Sequence, residues 1–378
     1  MIDSIMLIIF LGLLFNYLFF LWKVRAGLEK VTKQKSKSSK TPSVSVIIPF
    51  RNEADNILKN LMSLESQTYP LHKFEIIYVD DDSTDNSFEL INEASTKLNI
   101  KVLRIPEGFS PSSRKKRAIR YGIEHAEGEI IVGTDADCFY TPNWISEIIS
   151  SYDEQTGFVS APVRFTSNNN FFENLQQLEF SGLVLTGGGL IGSNYPIICN
   201  AANISYRRAA FNQVLGFEDN LDLSSGDDEF LMQKIFRETD WTVKFCFSKD
   251  AVVTTSPNKS LTQFYNQRKR WASKGFFYKN KLLIFKLILI FLFYLSLISQ
   301  PLLGIFYDSI FLLSFLTSVI AKMYFEFMIL NFGVPFLIDK LNLLDFLIAE
   351  LLHPFYIIIS GVSGVRGNFT WKERKIKR

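Results

Sequence analysis

The sequence has little of what staples or tags many small domains. It contains three cysteines, Cys138, Cys199 and Cys246, far apart and without paired spacing. That excludes a disulfide framework or a cysteine zinc site and fits a reducing compartment, with the three as small buried residues. An excess of charge is also missing: 41 Lys and Arg against 38 Asp and Glu leave a net +3, so nucleic acid is not an expected partner. The first residues lack the marks of a cleaved leader, namely a charged start, a short apolar core and a small-residue cleavage site. The first apolar run is therefore expected to remain as an anchor.

What is abundant is apolar and aromatic surface: 47% hydrophobic and 15% aromatic residues, 36 of the 378 being Phe. It gathers at the two ends, while the middle reads as an ordinary α/β protein. Residues 5–22 are almost uninterrupted Leu, Ile and Phe, long enough to cross most of a hydrocarbon core of about 30 Å. The flank at 23–40 holds seven Lys or Arg against one Glu. Basic flanks stay in the cytoplasm, so the N-terminus is expected outside and the middle of the chain inside. The Ser and Lys of the same flank also read as a flexible linker.

Three further apolar stretches lie near 282–306, 309–332 and 343–362. Pro301, Lys322, Glu326 and Pro354 interrupt them. Six basic residues between Arg366 and Arg378 argue for a cytoplasmic tail, whereas three full crossings would put that tail outside. The two rules conflict unless one stretch is re-entrant or lies along the interface. The expected organisation is an anchor at 1–22, a basic linker at 23–42, a cytoplasmic catalytic domain at 43–258 and an interfacial helix at 259–281. Membrane segments making two or three crossings follow at 282–365, with a basic tail at 366–378. The expected location is a multi-pass protein of the cell (inner) membrane.

In the middle, residues 44–49, 74–79, 101–105 and 129–134 are short β-branched runs, and helical stretches at 53–67, 86–98 and 115–126 separate them. Strands alternating with helices of this length imply crossover units and a mostly parallel sheet flanked by helices. Ligands of such sheets sit beyond the carboxyl ends of the strands. Two acidic clusters fall there: Asp80-Asp81-Asp82-Ser-Thr-Asp85 and Asp135-Ala-Asp137.

Each motif has a chemical reading and a bland one. Asp-x-Asp after a buried strand suits a hard divalent cation, which takes one or two carboxylates and fills its other positions with water and phosphate oxygens. Such a metal would stabilise a diphosphate leaving group; the plainer reading is a solvated turn. A carboxylate of the 80–85 cluster can accept from a uracil imide or a ribose hydroxyl, or cap the next helix. Ser113-Arg-Lys-Lys-Arg117 opens a helix with bases where the macrodipole prefers acids, which makes sense beside an anion or as a solvated face. Gly226-Asp227-Asp228-Glu229 reads as an acid-rich helix start, in which an acid can serve as general base. Gln267-Arg-Lys-Arg-Trp271 sits on an expected interfacial amphipathic helix.

Taken in order, a Val-Ser-Val-Ile-Ile-Pro strand, Asp-Asp-x-Ser-Thr-Asp, Asp-x-Asp, an Asp-Asp pair and Gln-x-x-Arg-Trp resemble the membrane-bound members of glycosyltransferase family 2. Hyaluronan, chitin and cellulose synthases and ceramide glucosyltransferases share the pattern. The resemblance covers roughly residues 43–274. It implies a GT-A fold with N- and C-terminal transmembrane helices and an inverting transfer from a nucleotide sugar, with a UDP-sugar as the expected donor. Asp81 resembles the uracil-contacting residue, with Arg51 and Glu53 on the loop beside the base. Lys115 resembles the Lys of a Gly-Lys-x-x-Ala-Leu-Asn-x-Gly segment whose Gly and Asn are replaced here. Asp135 and Asp137 resemble the pair that holds Mg²⁺ or Mn²⁺ and the diphosphate. Asn203 resembles part of an acceptor-side segment and Asp228 the catalytic base. Gln267, Arg270 and Trp271 resemble the motif that meets acceptor and departing diphosphate. The expected acceptor is a lipid or lipid-linked glycan. A processive polysaccharide synthase is the alternative, and a non-catalytic nucleotide-sugar-binding scaffold is a remote one.

Overall fold

The computed structural model describes residues 2–33, 40–109, 114–167, 170–218, 226, 228–365, 369–371 and 374–376. The chain opens with helix α1 (Ile2–Val31) and then builds an alternating unit: β1 (Val44–Phe50), α2 (Ile57–Glu65), β2 (Phe74–Asp80), α3 (Ser87–Asn92), β3 (Ile100–Arg104), α4 (Arg114–Glu124) and β4 (Ile130–Gly133). There follow β5 (Phe139–Tyr140), α5 (Trp144–Ser150), β6 (Thr156–Ser160), β7 (Val163–Phe165), α6 (Phe171–Gly192), β8 (Ile204–Arg207) and α7 (Arg208–Gln213). The unit closes with α8 (Glu229–Glu238), β9 (Thr242–Phe245), β10 (Val253–Thr255) and α9 (Leu261–Ala272). Helices α10 (Lys281–Phe306), α11 (Ile310–Leu330) and α12 (Leu343–Val365) come next, and a short hairpin of β11 (Phe369–Trp371) and β12 (Arg374–Ile376) ends the described chain.

Seven strands form the main sheet in the order β3-β2-β1-β4-β8-β6-β9. The β1–β2, β2–β3 and β1–β4 pairs are parallel, as the crossover pattern predicts, and β8 is antiparallel to both β4 and β6. Every residue of β2 is buried, and all of β1 but Pro49. That is why both read as continuous apolar runs rather than alternating ones. The chain steps outward from β1 to β3 and then returns to the other side of β1 for β4. Strand order reverses at β1, and the carboxyl ends of β1, β2 and β4 open on one crevice. A second sheet, β5-β10-β7, lies beside the first.

Several expectations shift. Helices α2 and α3 are shorter than their sequence patterns. The expected flexible linker starts too early: α1 runs on through Val31, and Val24 and Leu28 are fully buried. The cause is α6, a 22-residue helix that the sequence reading did not anticipate. At Gly27 a β-carbon would lie 1.7 Å from the Gly189 carbonyl oxygen, so the two backbones touch where neither carries a side chain. Most of the remaining linker, 34–39, lies outside the described residues.

Helices α1, α10, α11 and α12 are each long and apolar enough to cross a membrane. Their polar groups converge: the Lys322 ammonium pairs with Glu326 at 3.0 Å and with Glu350, and Tyr17 donates to Glu326 and meets the Tyr294 hydroxyl at 2.8 Å. Glu326, Glu350 and His353 could together hold a metal, but the Lys322 ammonium already stands among them. Both ends of α12 touch the α/β unit. Near its start, Asn174 on α6 donates to Asp345 at 3.1 Å; near its end, Tyr265 on α9 donates to Ser363 at 2.7 Å and Gly364 packs on Ala272.

Candidate active site

Three strand ends supply the crevice. Leaving β1, the nearly buried Arg51 donates through Nη1 to the backbone carbonyls of Asp81 (2.9 Å) and Asp82 (2.5 Å). It thereby braces the acidic turn after β2, where Asp82 adopts a left-handed φ of 66°, uncommon for a residue with a side chain. Asp80 is spent on structure, accepting from Ser83 N–H at 3.0 Å and from Arg104 at 3.1 Å. Asp81, 4% exposed, receives Nε and Nη2 of Arg117 on one oxygen at 3.1 and 2.8 Å. Glu53 holds Asn56 at 2.9 Å, and its backbone N–H donates to Ser87 at 2.7 Å.

The end of β4 carries Asp135 and Asp137. Asn60, fully buried on α2, fixes their turn by donating to the carbonyl of Cys138 at 2.7 Å and to Tyr140 at 2.9 Å, while Tyr78 donates to its own oxygen. Lys115 at the start of α4 reaches back to Asp135 at 2.7 Å. The basic helix opening thus meets both acidic clusters, Lys115 on the second and Arg117 on the first. Burial, with Asp137 and Asp135 adding, pushes the Cys138 thiol well above its usual value, so it stays protonated. The donor set of Asp135 and Asp137 is all oxygen and anionic. That is the chemistry of a hard-cation site whose other ligands are water and phosphate.

On the far side, Asp228 caps α8. One carboxylate oxygen accepts from Glu229 N–H at 2.8 Å and the other from Ala201 N–H at 2.9 Å. Each oxygen keeps a lone pair for another donor. Asp227 lies outside the described residues. Next to Asp228 is a set that the sequence reading missed: Glu229 is buried, pairs with Lys274 at 3.2 Å and accepts from Tyr278 at 3.0 Å. Burial pushes the Glu229 carboxyl up to about 7, with Lys274 opposing and Asp228 adding. Burial works against the Lys274 ammonium, but Glu229 and Asp228 outweigh it and raise its pKa.

Asn203 requires a correction. It is fully buried, accepting from Trp144 at 3.0 Å and donating to the carbonyls of Pro162 (2.7 Å) and Ala251 (2.8 Å). It ties three chain segments beneath the site and is not placed to touch an acceptor.

The Gln-x-x-Arg-Trp segment lies on α9 as expected. Gln267 accepts from Asn258 at 2.9 Å, and Trp271 faces the Phe180 ring of α6 at 6.0 Å. Arg270 stands close enough to Lys274 to weaken its hold on a proton. The neighbour Arg268, not singled out in the sequence, is 4% exposed. It forms a two-pronged pair with Glu179 of α6, lies over the Trp271 ring at 4.3 Å and donates to Gln267. Glu179 also accepts from Tyr356 of α12 at 2.9 Å. An Arg among aromatics every three or four residues was the available signal, since Phe264, Arg268 and Trp271 share one helix face.

Comparison with known proteins bears on the family and the fold. Residues 45–215 match the model of glycosyl transferase family 2. Glycosyltransferase AglE of Haloferax volcanii is 35% identical over 38% of this chain and 49% of its own. A dolichol-phosphate mannosyltransferase of Pyrococcus furiosus is 35% identical over 29% of each chain. Hyaluronan synthase of Streptococcus pyogenes is 25% identical over 62% of this chain and 57% of its own. The matches thus span from 29% to 57% of the length of these relatives. Among solved structures, the mannosyltransferase PcManGT of Pyrobaculum calidifontis, in complex with GDP-Man and Mn²⁺, superposes with a TM-score of 0.62 at 20% identity over 95% of this chain and 98% of that one. Residues 45–215 of the chain are a glycosyl transferase family 2 domain, set in a GT-A fold.

Proposed function

We propose that this chain transfers a sugar, with inversion, from a nucleotide-sugar donor to a lipid or lipid-linked acceptor at the cytoplasmic face of a membrane. The observation that carries the reading is the convergence of Asp81 with Arg117, Asp135 with Lys115, and Asp228 on one crevice floored by the β1, β2 and β4 ends. In this reading Asp81 meets the base, with a UDP-sugar as the first donor to test, and Arg51 and Glu53 brace the base loop. Asp228 takes the proton of an acceptor hydroxyl as its oxygen attacks C1. The bond from C1 to the diphosphate oxygen breaks on the opposite face, and the nucleoside diphosphate leaves. Asp135 and Asp137 would hold a divalent cation, which supplies positive charge to the leaving group. Lys115 and Arg270 add charge from the protein, the kind of preorganised electrostatics that usually dominates catalysis. Gln267 and Trp271 face the acceptor.

A lipid acceptor is favoured by the small number of membrane helices. A helix that crosses must place its ends on opposite sides of about 30 Å of hydrocarbon, yet both ends of α12 contact the α/β unit. We therefore assign α1, α10 and α11 as crossings and α12 as an interfacial helix. Three crossings leave no room for a polymer tunnel within one chain, whereas a lipid presented at the membrane plane needs none. A polysaccharide synthase remains the second reading, supported by the hyaluronan synthase match across 62% of the chain. The test is a panel of UDP- and GDP-sugars incubated with the purified full chain, alone and with membrane lipid extract. Lipid-dependent release of free nucleotide, with label moving into the organic phase, supports the proposal. Label in a growing water-soluble polymer supports the second reading, and no release from any donor sinks both.

A further inference from the structure

A second charged group lies just past the carboxyl end of α6, where α1 and α10 meet it. Helix α6 ends at Gly192, and Asn194 turns the chain with a left-handed φ of 56°. The Asn194 N–H donates to the carbonyl of Ile191 and the Tyr195 N–H to that of Leu190, both at 2.9 Å. This is the paired closure of a Schellman motif, which fixes the residue after the turn. Ser193 donates from Oγ to the backbone carbonyl of Lys23 on α1 at 2.7 Å. The Tyr195 ring is thus pinned between α1 and the start of α10.

Two ammonium groups share that ring. The Nζ of Lys23 lies 4.7 Å from its centroid and the Nζ of Lys286, on α10, 4.6 Å from it. Neither lysine makes an ion pair among the described residues. The Tyr195 hydroxyl is enclosed and has no hydrogen-bond partner among them. Lysines at the ends of apolar helices usually splay outward to water. Here two of them, from different helices, turn to one ring without an acid between them. Like charges held together repel, and an anion shared between them reverses that sign. The surroundings indicate which anion. Trp22 and Phe285, each next in sequence to one of the lysines, are both 55% exposed, as residues at the lipid boundary are. Basic niches between membrane helices on the cytoplasmic side suit anionic headgroups.

We propose that Lys23, Lys286 and Tyr195 form a binding site for the phosphate of an anionic phospholipid of the cytoplasmic leaflet. The site is independent of the transferase reading. It anchors the carboxyl end of α6, whose other turns carry Glu179, against the leaflet.

The test is thermal unfolding of the full chain, purified and stripped of lipid in a neutral detergent. Phosphatidylglycerol, phosphatidylcholine or inorganic phosphate is then added. Ligands that bind only the folded state raise the melting temperature. The expected result is a saturable rise with phosphatidylglycerol and none with the other two. Lys23→Gln/Lys286→Gln should abolish the rise, and Lys23→Arg/Lys286→Arg should keep it. Without lipid the Gln pair loses two contacts with the Tyr195 ring together with a repulsion, so it should still unfold in one cooperative transition near that of the native chain; this separates loss of a site from loss of the fold. An undiminished rise in the Gln pair overturns the proposal. So does an equal rise with inorganic phosphate, which would mark a free-anion site, or with phosphatidylcholine, which would mark bulk lipid solvation.

Discussion

Replacing Asp228 by Asn tests the proposed base, and the structure changes what that substitution should do. Both carboxylate oxygens of Asp228 accept from backbone N–H groups, those of Glu229 and Ala201. Asn keeps the shape but has one acceptor oxygen. Its oxygen should stay on Glu229 N–H, since Asn caps helices as well as Asp. The amide nitrogen then faces the Ala201 N–H, donor against donor. An unsatisfied buried donor costs about 1–3 kcal/mol, so Asp228→Asn should melt earlier even if Asp228 has no chemical role. Loss of a general base costs about 10²–10⁴-fold in rate. The two effects separate by assay. Transfer should be measured at saturating donor, per mole of protein that binds nucleoside diphosphate, at a temperature well below the melting point of the variant. Turnover should fall by at least 10²-fold with nucleotide affinity within about twofold of the native chain, because the Asp228 carboxylate is held by Glu229 and Ala201 and bonds neither the acidic turn after β2 nor Asp135. A variant that melts earlier but turns over normally would show that Asp228 is only a cap, and the inverting mechanism drawn on it would be wrong.

Four further outcomes are expected. Glu229 has a carboxyl raised to about 7 from an ordinary value near 4.5, so its protonated form favours the fold; its own contribution to stability should be complete below about pH 4.5 and be lost as pH rises through 7. Glu229→Gln should flatten that part of a melting-temperature profile, and an unchanged slope would place the titration elsewhere. Glu179→Gln leaves the buried Arg268 without its carboxylate, a change that costs about 3–5 kcal/mol when a buried pair is broken. It should lower turnover more than donor affinity, with Glu179→Asp retaining more of the turnover, and equal losses in both would deny the pair a role in orienting α9. EDTA and Asp137→Ala should each stop transfer, Mg²⁺ or Mn²⁺ restoring only the EDTA-treated native enzyme; full activity in EDTA would remove the metal from the scheme. For topology, an impermeant thiol reagent should label Asp308→Cys in intact cells but reach Lys340→Cys and Arg378→Cys only after permeabilisation. The buried Cys138 and Cys246 are shielded on either side and report nothing.

The sequence exposed what depends on short stretches of chain. β1, β2 and β4 were legible because buried parallel strands are continuous β-branched runs, and the crevice followed from where their acidic ends fall. Asp135 follows β4, Lys115 lies in the first turn of α4 and Asp228 caps α8. What escaped depends on partners distant in sequence. Asn60 and Asn203 are ordinary polar residues until Tyr78, Trp144 and the turns they hold are folded around them. Arg117 was one base among several in its cluster, and only the packing of α4 against β1 and β2 aims it at Asp81. Glu229 and Lys274 are separated by 45 positions, and Arg268 from Glu179 by 89. Helix α6 hid because its Gly-Gly-Gly run looks like a breaker. In the fold those glycines admit the backbone of α1 and the ring of Phe245.

The membrane helices show the limit most sharply, because composition there is nearly blind to geometry. Three C-terminal stretches are long and apolar alike, so counting helices sends the basic tail outside while counting charges keeps it inside. Both counts assume that an apolar helix of sufficient length crosses. The interfacial placement proposed for α12 rests on single contacts: Asp345 with Asn174 at one end, and Ser363 with Tyr265 at the other, with the Tyr356 bond to Glu179 between them. A helix tethered to the α/β unit at its start, middle and end lies beside that unit. On this assignment α10 and α11 form one outward hairpin with Asp308 at its turn, and the tail stays with the basic flank of α1. The charge rule then holds throughout, and the polar middle of α12 is spent on the Lys322 cluster and on Glu179. That proposed arrangement would also put the helix carrying Tyr356 between the membrane and the Gln267–Trp271 segment. The position of α12 in the interface can thereby reach the acceptor side of the crevice through one hydrogen bond and one ion pair.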